Sequence, residues 1–199
     1  MAVVSGGTTL IDNGALDAAV PTGSLILLST QTASASASIE FTSGIDSTYD
    51  SYVFKFIDIN PATDVAIFRF NGSTDGGSNY NVTKTTTAFD AIHSEADDAA
   101  TLFYNGSHDL AQSTSDQTLL RDIGNGADEC AVGTLQIFNP SSTTYVKHFI
   151  HRGNIYQWQN ISIDTNIAGY FNTTSAINAI KFVMSSGNFD GIIKMYGVK

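Results

Sequence analysis

The sequence predicts an all-β protein: an antiparallel two-sheet β-sandwich, jelly-roll-like, with an extended N-terminal arm. The chain of 199 residues holds 21 Ser, 22 Thr, 14 Asn and 17 Gly, and only 14% of its residues are charged. Asn, Ser and Gly disfavour helix interiors, whereas Thr suits strands. Short segments of alternating polar and apolar residues recur between turn sequences, with no tandem repeat. A succession of short strands separated by turns is typical of sandwich folds.

Residues 1–23 are expected to form the arm. Glycine is too frequent there for a strand, and the apolar residues are scattered. Such a segment is either a flexible leader or an anchor that lies extended on another surface. In the second case its apolar side chains are candidate protein-interface residues, namely Leu10, Ile11, Leu16 and Val20.

Residues 24–199 are expected to form the β-sandwich domain. The predicted strands span 24–30, 36–42, 50–59, 65–71, 80–88, 117–123, 130–138, 143–151, 155–163, 177–184 and 192–198. Low apolar content indicates an edge strand at 80–88. Residues 90–104 fit either a short helix, because of their alanines, or a long surface loop. Twelve Phe and eight Tyr supply the core of the sandwich.

Composition excludes several classes of partner and compartment. The net charge of -10 argues against nucleic-acid binding through a basic surface. The longest apolar run, 25–28, is too short to cross a membrane, and the N-terminus lacks the features of a secretory signal. A single cysteine, Cys130, excludes an intrachain disulfide. The sequence therefore predicts a soluble protein with no nucleic-acid or membrane partner.

Two histidine groups are the first candidates for a metal site. His148 and His151 lie three residues apart, so on the expected strand they point to opposite faces and cannot share an ion. His93, Glu95 and Asp97 alternate and would line one face of a strand. An exposed loop explains the second group more simply, and no metal is expected.

Two Asp-rich loops, 75–79 and 122–129, offer oxygen atoms beside glycines, but neither has the spacing of an EF-hand loop. Turn formation explains the same residues. The nucleophile-elbow, phosphate-loop and zinc-protease motifs are absent from the sequence. We therefore expect neither an enzyme nor a bound cofactor.

Tyr156 and Trp158 are the remaining site candidates. On the predicted strand 155–163 both project from one face. If exposed, they would form a stacking platform for a sugar ring or a protein-interface anchor. If buried, they belong to the sandwich core, which is the interpretation that the pattern favours.

Three segments carry a family resemblance. They are 41–63, from Phe-Thr-Ser-Gly-Ile-Asp-Ser-Thr-Tyr-Asp to Ile-Asn-Pro-Ala-Thr, then 138–149, Phe-Asn-Pro-Ser-Ser-Thr-Thr-Tyr-Val-Lys-His-Phe, and the closing 191–199, Gly-Ile-Ile-Lys-Met-Tyr-Gly-Val-Lys. From about residue 24 onward the chain resembles small virion structural proteins of tailed bacteriophages of marine bacteria and cyanobacteria. The resemblance implies a homotrimer on the particle surface, made in the host cytoplasm. It transfers no functional residue.

Two functions fit this resemblance. The first is a capsid decoration, or cement, protein that binds the major capsid protein or other virion proteins and stabilises the shell. The second is a receptor-binding tip of a tail fibre that recognises host surface glycan. The chain begins with its own Met and has no fibre-shaft repeat, so the first function is the one expected.

Overall fold

A computed structural model describes residues 3–5, 8–12, 15–16 and 25–199. Within the predicted arm, three short strands form an antiparallel sheet in the order β1–β2–β3. These strands are β1 (Val3–Ser5), β2 (Thr8–Asp12) and β3 (Ala15–Leu16). The expectation that this segment is too rich in glycine for strands is therefore wrong, although each strand is short.

The rest of the chain forms twelve strands, all paired antiparallel. Their bounds are β4 (Ile26–Ser36), β5 (Ser38–Phe41), β6 (Ser51–Pro61), β7 (Ala66–Ser73), β8 (Lys84–Ser94), β9 (Ala100–Tyr104), β10 (Gln117–Ile123), β11 (Ala131–Phe138), β12 (Lys147–Gln157), β13 (Ile161–Phe171), β14 (Ala179–Met184) and β15 (Phe189–Val198). Among the described residues no helix occurs, and so none that could cross a membrane. The all-β prediction is confirmed.

These twelve strands belong to one continuous sheet. Eight of them follow one another in the order β4–β15–β6–β11–β12–β13–β8–β9, and four follow in the order β10–β7–β14–β5. A single residue pair, Ile123 with Gln157, joins the two series. Strands β4 and β5 lie at the two ends of the long path and are separated in the chain by Ala37 alone, so the sheet nearly closes.

Aromatic rings fill the space that the sheet encloses. Phe182 of β14 lies with its ring centroid 5.1 Å from that of Phe56 in β6 and 5.7 Å from that of Phe68 in β7. Strands β14 and β6 share no backbone pairing, so these contacts cross the interior. The alternation of apolar residues along each strand, with period two, places the rings on the inner face. The predicted aromatic core is therefore present.

Two sequence predictions fail in the region of β8 and β9. Residues 90–104 form neither a helix nor a loop, because they complete β8, turn, and return as β9. Strand β8 is also not an edge strand, since it pairs with both β13 and β9. Asp90 is polar and yet 1% exposed, because Arg121 and Asn105 bind its carboxylate. A tertiary ion pair of this kind leaves no local signal in the sequence.

Candidate functional site

Two surface features have the composition of binding sites, and both depend on β12. This strand pairs with β13 along its whole length and with β11 over seven residues. Its alternate residues point inward or outward, and the outward row contains Ile150, which is 55% exposed. The turn that follows the strand begins with Trp158, which is 43% exposed. Large exposed apolar side chains on a folded surface are candidates for intermolecular contact.

The first feature, which we call the Ile150 face, is a shallow groove of about 440 Å³ on the outer side of β12, β13 and β8. Its lining consists of residues 85–87, 148–150 and 168–170. Ile150 lies opposite Ala168, which lies opposite Thr87, so small side chains surround the isoleucine. The rings of His148 and Tyr170 form one wall, with centroids 5.9 Å apart.

An ion pair borders the Ile150 face. Arg152 lies two residues beyond Ile150 and donates hydrogen bonds through Nε and Nη2 to the carboxylate of Asp164, at 3.0 and 2.7 Å. The side chain of Arg152 is 71% exposed, so the pair adds little to stability. An apolar centre with a charged rim is the usual anatomy of a protein interface. This geometry suits a broad, flat partner.

The second feature, the Trp158 cleft, has a volume of about 330 Å³. Its lining consists of Val65, Ile92, Arg121, Asp122, Gln157, Trp158, Gln159, Ile161 and Ile163. The prediction that Trp158 belongs to the core is wrong. The predicted strand 155–163 does not exist as one element, because β12 ends at Gln157 and the chain turns there. The tryptophan therefore lies on the surface beside an apolar floor.

Polar groups in the Trp158 cleft are held in place by hydrogen bonds. Arg121 donates from Nε to Asp90 at 2.7 Å and from Nη1 to Asp122 at 2.6 Å, and its Nη2 makes no hydrogen bond to the residues that the structure describes. The Oε1 atom of Gln157 accepts from the backbone N–H of Gln159 at 2.8 Å. Fixed planar polar groups beside an aromatic ring can bind hydroxyl groups while the ring packs on an apolar surface.

Tyr156 does not share the Trp158 cleft. It is half-buried near the end of β12 and lines a separate cleft of about 270 Å³ together with His93 and Glu95. Its hydroxyl donates to Oδ1 of Asn160 at 3.2 Å. Desolvation, followed by the charge of Glu95, raises the pKa of Tyr156. The two rings therefore line separate clefts and do not form the shared stacking platform that was the alternative to burial in the core.

The histidine pair follows the sequence prediction. His148 is exposed and His151 is 1% exposed, so the two rings lie on opposite faces of β12. Burial lowers the pKa of His151 to about 4, which keeps the ring neutral near pH 7. His151 packs against Phe56 in the core, with ring centroids 6.1 Å apart. Its position indicates a structural role.

The other candidate ligand groups take part in turns. Nε2 of His93 lies 3.1 Å from Asp97 Oδ1 across the β8–β9 turn. The Asp75 carboxylate accepts bonds from Ser73 and Asn79, and these bonds lower its pKa to about 2. Glu129 accepts the N–H of Gly126 at 2.6 Å. Within residues 25–199 and the short described stretches before them, no group of three or more His, Cys, Asp or Glu is placed to hold a metal ion.

Two buried lysines were not predicted from the sequence. Lys84 is 0% exposed and donates to Asn71 Oδ1 at 2.6 Å and to the Val82 carbonyl at 2.8 Å. Burial lowers its pKa to about 8. Lys147 is also 0% exposed and donates to two backbone carbonyls. Each lysine is the first residue of a strand, and its ammonium group binds both the carbonyl two residues before it and a second, distant segment.

The arm residues predicted to form an interface are only partly described. Leu10 and Ile11 belong to β2 and Leu16 belongs to β3, and only the backbone of these strands is described. Val20 lies outside the described residues. Their role as interface residues stays a prediction.

Sequence reasoning missed Ile150, Arg121 and Asp122. Ile150 had a detectable signal, since it is a lone aliphatic residue alternating with His148 and Arg152 on a polar face. The other two had none, because only the folding of β10 toward the β12–β13 turn brings them to Trp158. No protein-family model matches the chain, and neither the curated proteins nor the solved structures contain a significant match to it.

Proposed function

We propose that this chain is a structural protein of a tailed-phage particle, and that it acts as a capsid decoration protein. The observation that supports the proposal is the Ile150 face, whose centre is an isoleucine 55% exposed to solvent. An apolar groove on the outer face of a sheet is suited to contact with another protein surface. In this proposal the curled sheet is a jelly-roll-like sandwich and the Ile150 face lies on the major capsid protein.

The charge of the chain is compatible with a position on the outer surface of a particle. A net charge of -10 limits non-specific association with other molecules. The charges that border the Ile150 face are paired in Arg152 and Asp164, so docking there does not bury an unpaired charge. The face can therefore be covered at a modest electrostatic cost.

The proposal is tested by measuring the copy number of the chain on purified particles of the phage that carries its gene. Quantitative mass spectrometry against the major capsid protein gives the ratio directly. A decoration protein is expected at a ratio comparable with that of the capsid protein, and particle-averaged electron microscopy is expected to place it on the shell. Absence from the particle contradicts the proposal, and a low number confined to the tail supports the second candidate.

The second candidate is a receptor-binding tip that recognises host surface glycan, and the Trp158 cleft favours it. An exposed indole next to Arg121, Asp122 and two glutamines offers both stacking and hydrogen bonding to a sugar ring. Within the Trp158 cleft the charges of Arg121 and Asp122 compensate each other, which favours a neutral sugar.

The glycan hypothesis is tested by binding of the purified chain to host cells. Trp158→Ala is expected to abolish binding, whereas the control Tyr145→Ala, which removes another exposed aromatic ring, is expected to leave it intact. Host cells that do not bind the unaltered chain, or equal binding by both variants, contradict a glycan site at Trp158.

A further inference from the structure

The free edge of β9 is a third surface with a defined chemistry. The β8–β9 ladder is bounded by two backbone bonds, from the N–H of Asn105 to the Ala88 carbonyl and from the N–H of Ser94 to the Ala99 carbonyl, each 2.9 Å long. In an antiparallel pair, hydrogen-bonded and non-bonded positions alternate. The N–H and C=O groups of Ala100, Leu102 and Tyr104 therefore point away from β8.

Neighbouring segments leave this edge open. Leu102 is 69% exposed and Tyr104 is 59% exposed. The loop after β9 pairs instead with the first residues of β8, through bonds between Lys84 and Ser113 and from Thr86 to Leu110. Within the described part of the chain, β9 pairs with β8 alone. Three consecutive outward positions thus present unpaired backbone donors and acceptors.

Strands β4 and β5, at the two ends of the long path of the sheet, carry features that oppose pairing with another chain. The register between β4 and β15 shifts twice, and Ala35 in β4 has a positive φ of 47°. The side chain of Gln31 in β4 also donates to the Glu40 carbonyl of β5, which links these two edges. Strand β5 contains the charged Glu40. Bulges and charges of this kind protect sheet edges.

Strand β9 has none of these features. Its sequence, Ala-Thr-Leu-Phe-Tyr, contains no charged residue and no proline, and its register with β8 is regular. An uncharged, exposed and regular edge is a template for β-strand addition. In a chain with a net charge of -10, an uncharged strand is also a place where two copies can meet without direct repulsion between the paired side chains.

We propose that two copies of this chain pair through β9, antiparallel, about a two-fold axis at Leu102. Leu102 is the middle residue of the five, so the axis places it opposite its own copy and Ala100 opposite Tyr104 of the other copy. Each residue of one copy whose backbone groups point away from β8 then lies opposite such a residue of the other copy. In each of these pairs, both N–H groups donate to the carbonyl of the opposite residue. Such an interface is isologous and closed, which is the commonest symmetry of protein dimers.

This dimer does not depend on the proposed role in a phage particle. It differs from the trimer that the family resemblance implies, so the oligomeric state of the purified chain decides between them. The unaltered chain is expected to have twice its own mass of 21.2 kDa in light scattering coupled to size exclusion. A monomeric or trimeric mass overturns the proposal and leaves the copy number on particles untouched.

A cysteine at the axis tests the geometry itself. Opposed residues of a hydrogen-bonded pair have Cα atoms about 5.5 Å apart, within the range of a disulfide. In a Cys130→Ala background, Leu102→Cys is expected to form a covalent dimer on mild oxidation, whereas the equally exposed control Tyr145→Cys is not. Equal cross-linking of the two variants overturns the β9 interface.

A proline variant tests the backbone bonds. The N–H of Leu102 points away from β8, so Leu102→Pro removes an outward donor without breaking the β8–β9 ladder. This variant is expected to be monomeric, and Leu102→Ala, which keeps the backbone groups, is expected to remain dimeric. If the proline variant is folded by circular dichroism and still dimeric, β9 is not the interface.

Discussion

The two faces of β12 differ in what they contact. On the inner face Phe149, His151 and Ile155 are at most 1% exposed and pack in the aromatic core. On the outer face Ile150 is 55% exposed, and the charge of Arg152 is paired at the surface. In the proposed function, the inner residues of this alternating stretch stabilise the fold and the outer residues bind a partner. Changes on the inner face should reduce stability, whereas changes on the outer face should reduce binding and leave the fold intact.

The largest effect is expected from the centre of the core. Phe182→Ala removes a ring whose centroid lies 5.3, 5.1 and 5.7 Å from those of Phe54, Phe56 and Phe68. The free energy of unfolding, measured by urea denaturation, is expected to fall by about 3–5 kcal/mol. Tyr145→Ala, at a position 72% exposed, is expected to change it by less than about 0.5 kcal/mol. A similar loss in both variants contradicts the assignment of stability to the aromatic core.

The next effect concerns pH and His151. Its pKa is lowered from 6.5 to about 4 by burial, so the unfolded chain binds more protons than the folded one between these values. Stability is therefore expected to decrease as the pH falls through this window, by roughly 3 kcal/mol in total at 1.36 kcal/mol per pKa unit. Urea denaturation at a series of pH values from 7 to about 4 measures how the free energy of unfolding depends on pH.

Two histidine variants show how much of the pH dependence of stability comes from His151. His151→Phe keeps an aromatic ring in the core and is expected to reduce the pH dependence, leaving the contribution of His108, whose pKa is also lowered by burial. His93→Gln changes an exposed histidine on β8, and its free energy of unfolding is expected to depend on pH as in the unaltered chain. If the stability of His151→Phe depends on pH as steeply as that of the unaltered chain, burial of this imidazole does not contribute to acid sensitivity.

A smaller effect is expected from a glycine on the inner face of β12. A Cβ atom on Gly153 would lie 2.4 Å from Cδ2 of Leu120 and 2.9 Å from the Val132 carbonyl oxygen. Gly153→Ala is therefore expected to destabilise the protein by about 1–3 kcal/mol. At Gly106 the nearest atom to such a Cβ, on Tyr104, is 3.9 Å away, and Gly106→Ala is expected to cost less than about 0.5 kcal/mol. Thermal denaturation of both variants gives the comparison, and equal melting temperatures refute it.

The sequence allowed the all-β class and most strands to be predicted, because alternation of apolar residues is a local signal. The predicted strand 117–123 has the bounds of β10. The β12–β13 turn was missed, since Gln-Trp-Gln-Asn contains neither Gly nor Pro. Asn160 supplies the positive φ, 61°, that the turn needs. The order of the strands was beyond prediction, because pairing depends on long-range contacts.

The candidate site was less predictable than the fold. Trp158 was identified as an aromatic candidate, but its exposure depends on where β12 ends. Arg121 and Asp122 reach the Trp158 cleft only through the pairing of β10 with β7 and the end of β12. Surfaces assembled from distant strands carry no pattern within any one segment. The core, in contrast, is encoded strand by strand.

The central claim, that the outer face of β12 binds and does not stabilise, is tested most directly by a matched pair of substitutions. Ile150→Glu and Leu27→Glu place the same charge at positions 55% and 51% exposed, on the Ile150 face and on the distant strand β4. Occupancy on purified phage particles, relative to the major capsid protein, is measured for each variant along with its melting temperature. The proposed role predicts that Ile150→Glu alone is lost from particles while both variants melt like the unaltered chain. Equal occupancy of the two variants would contradict it.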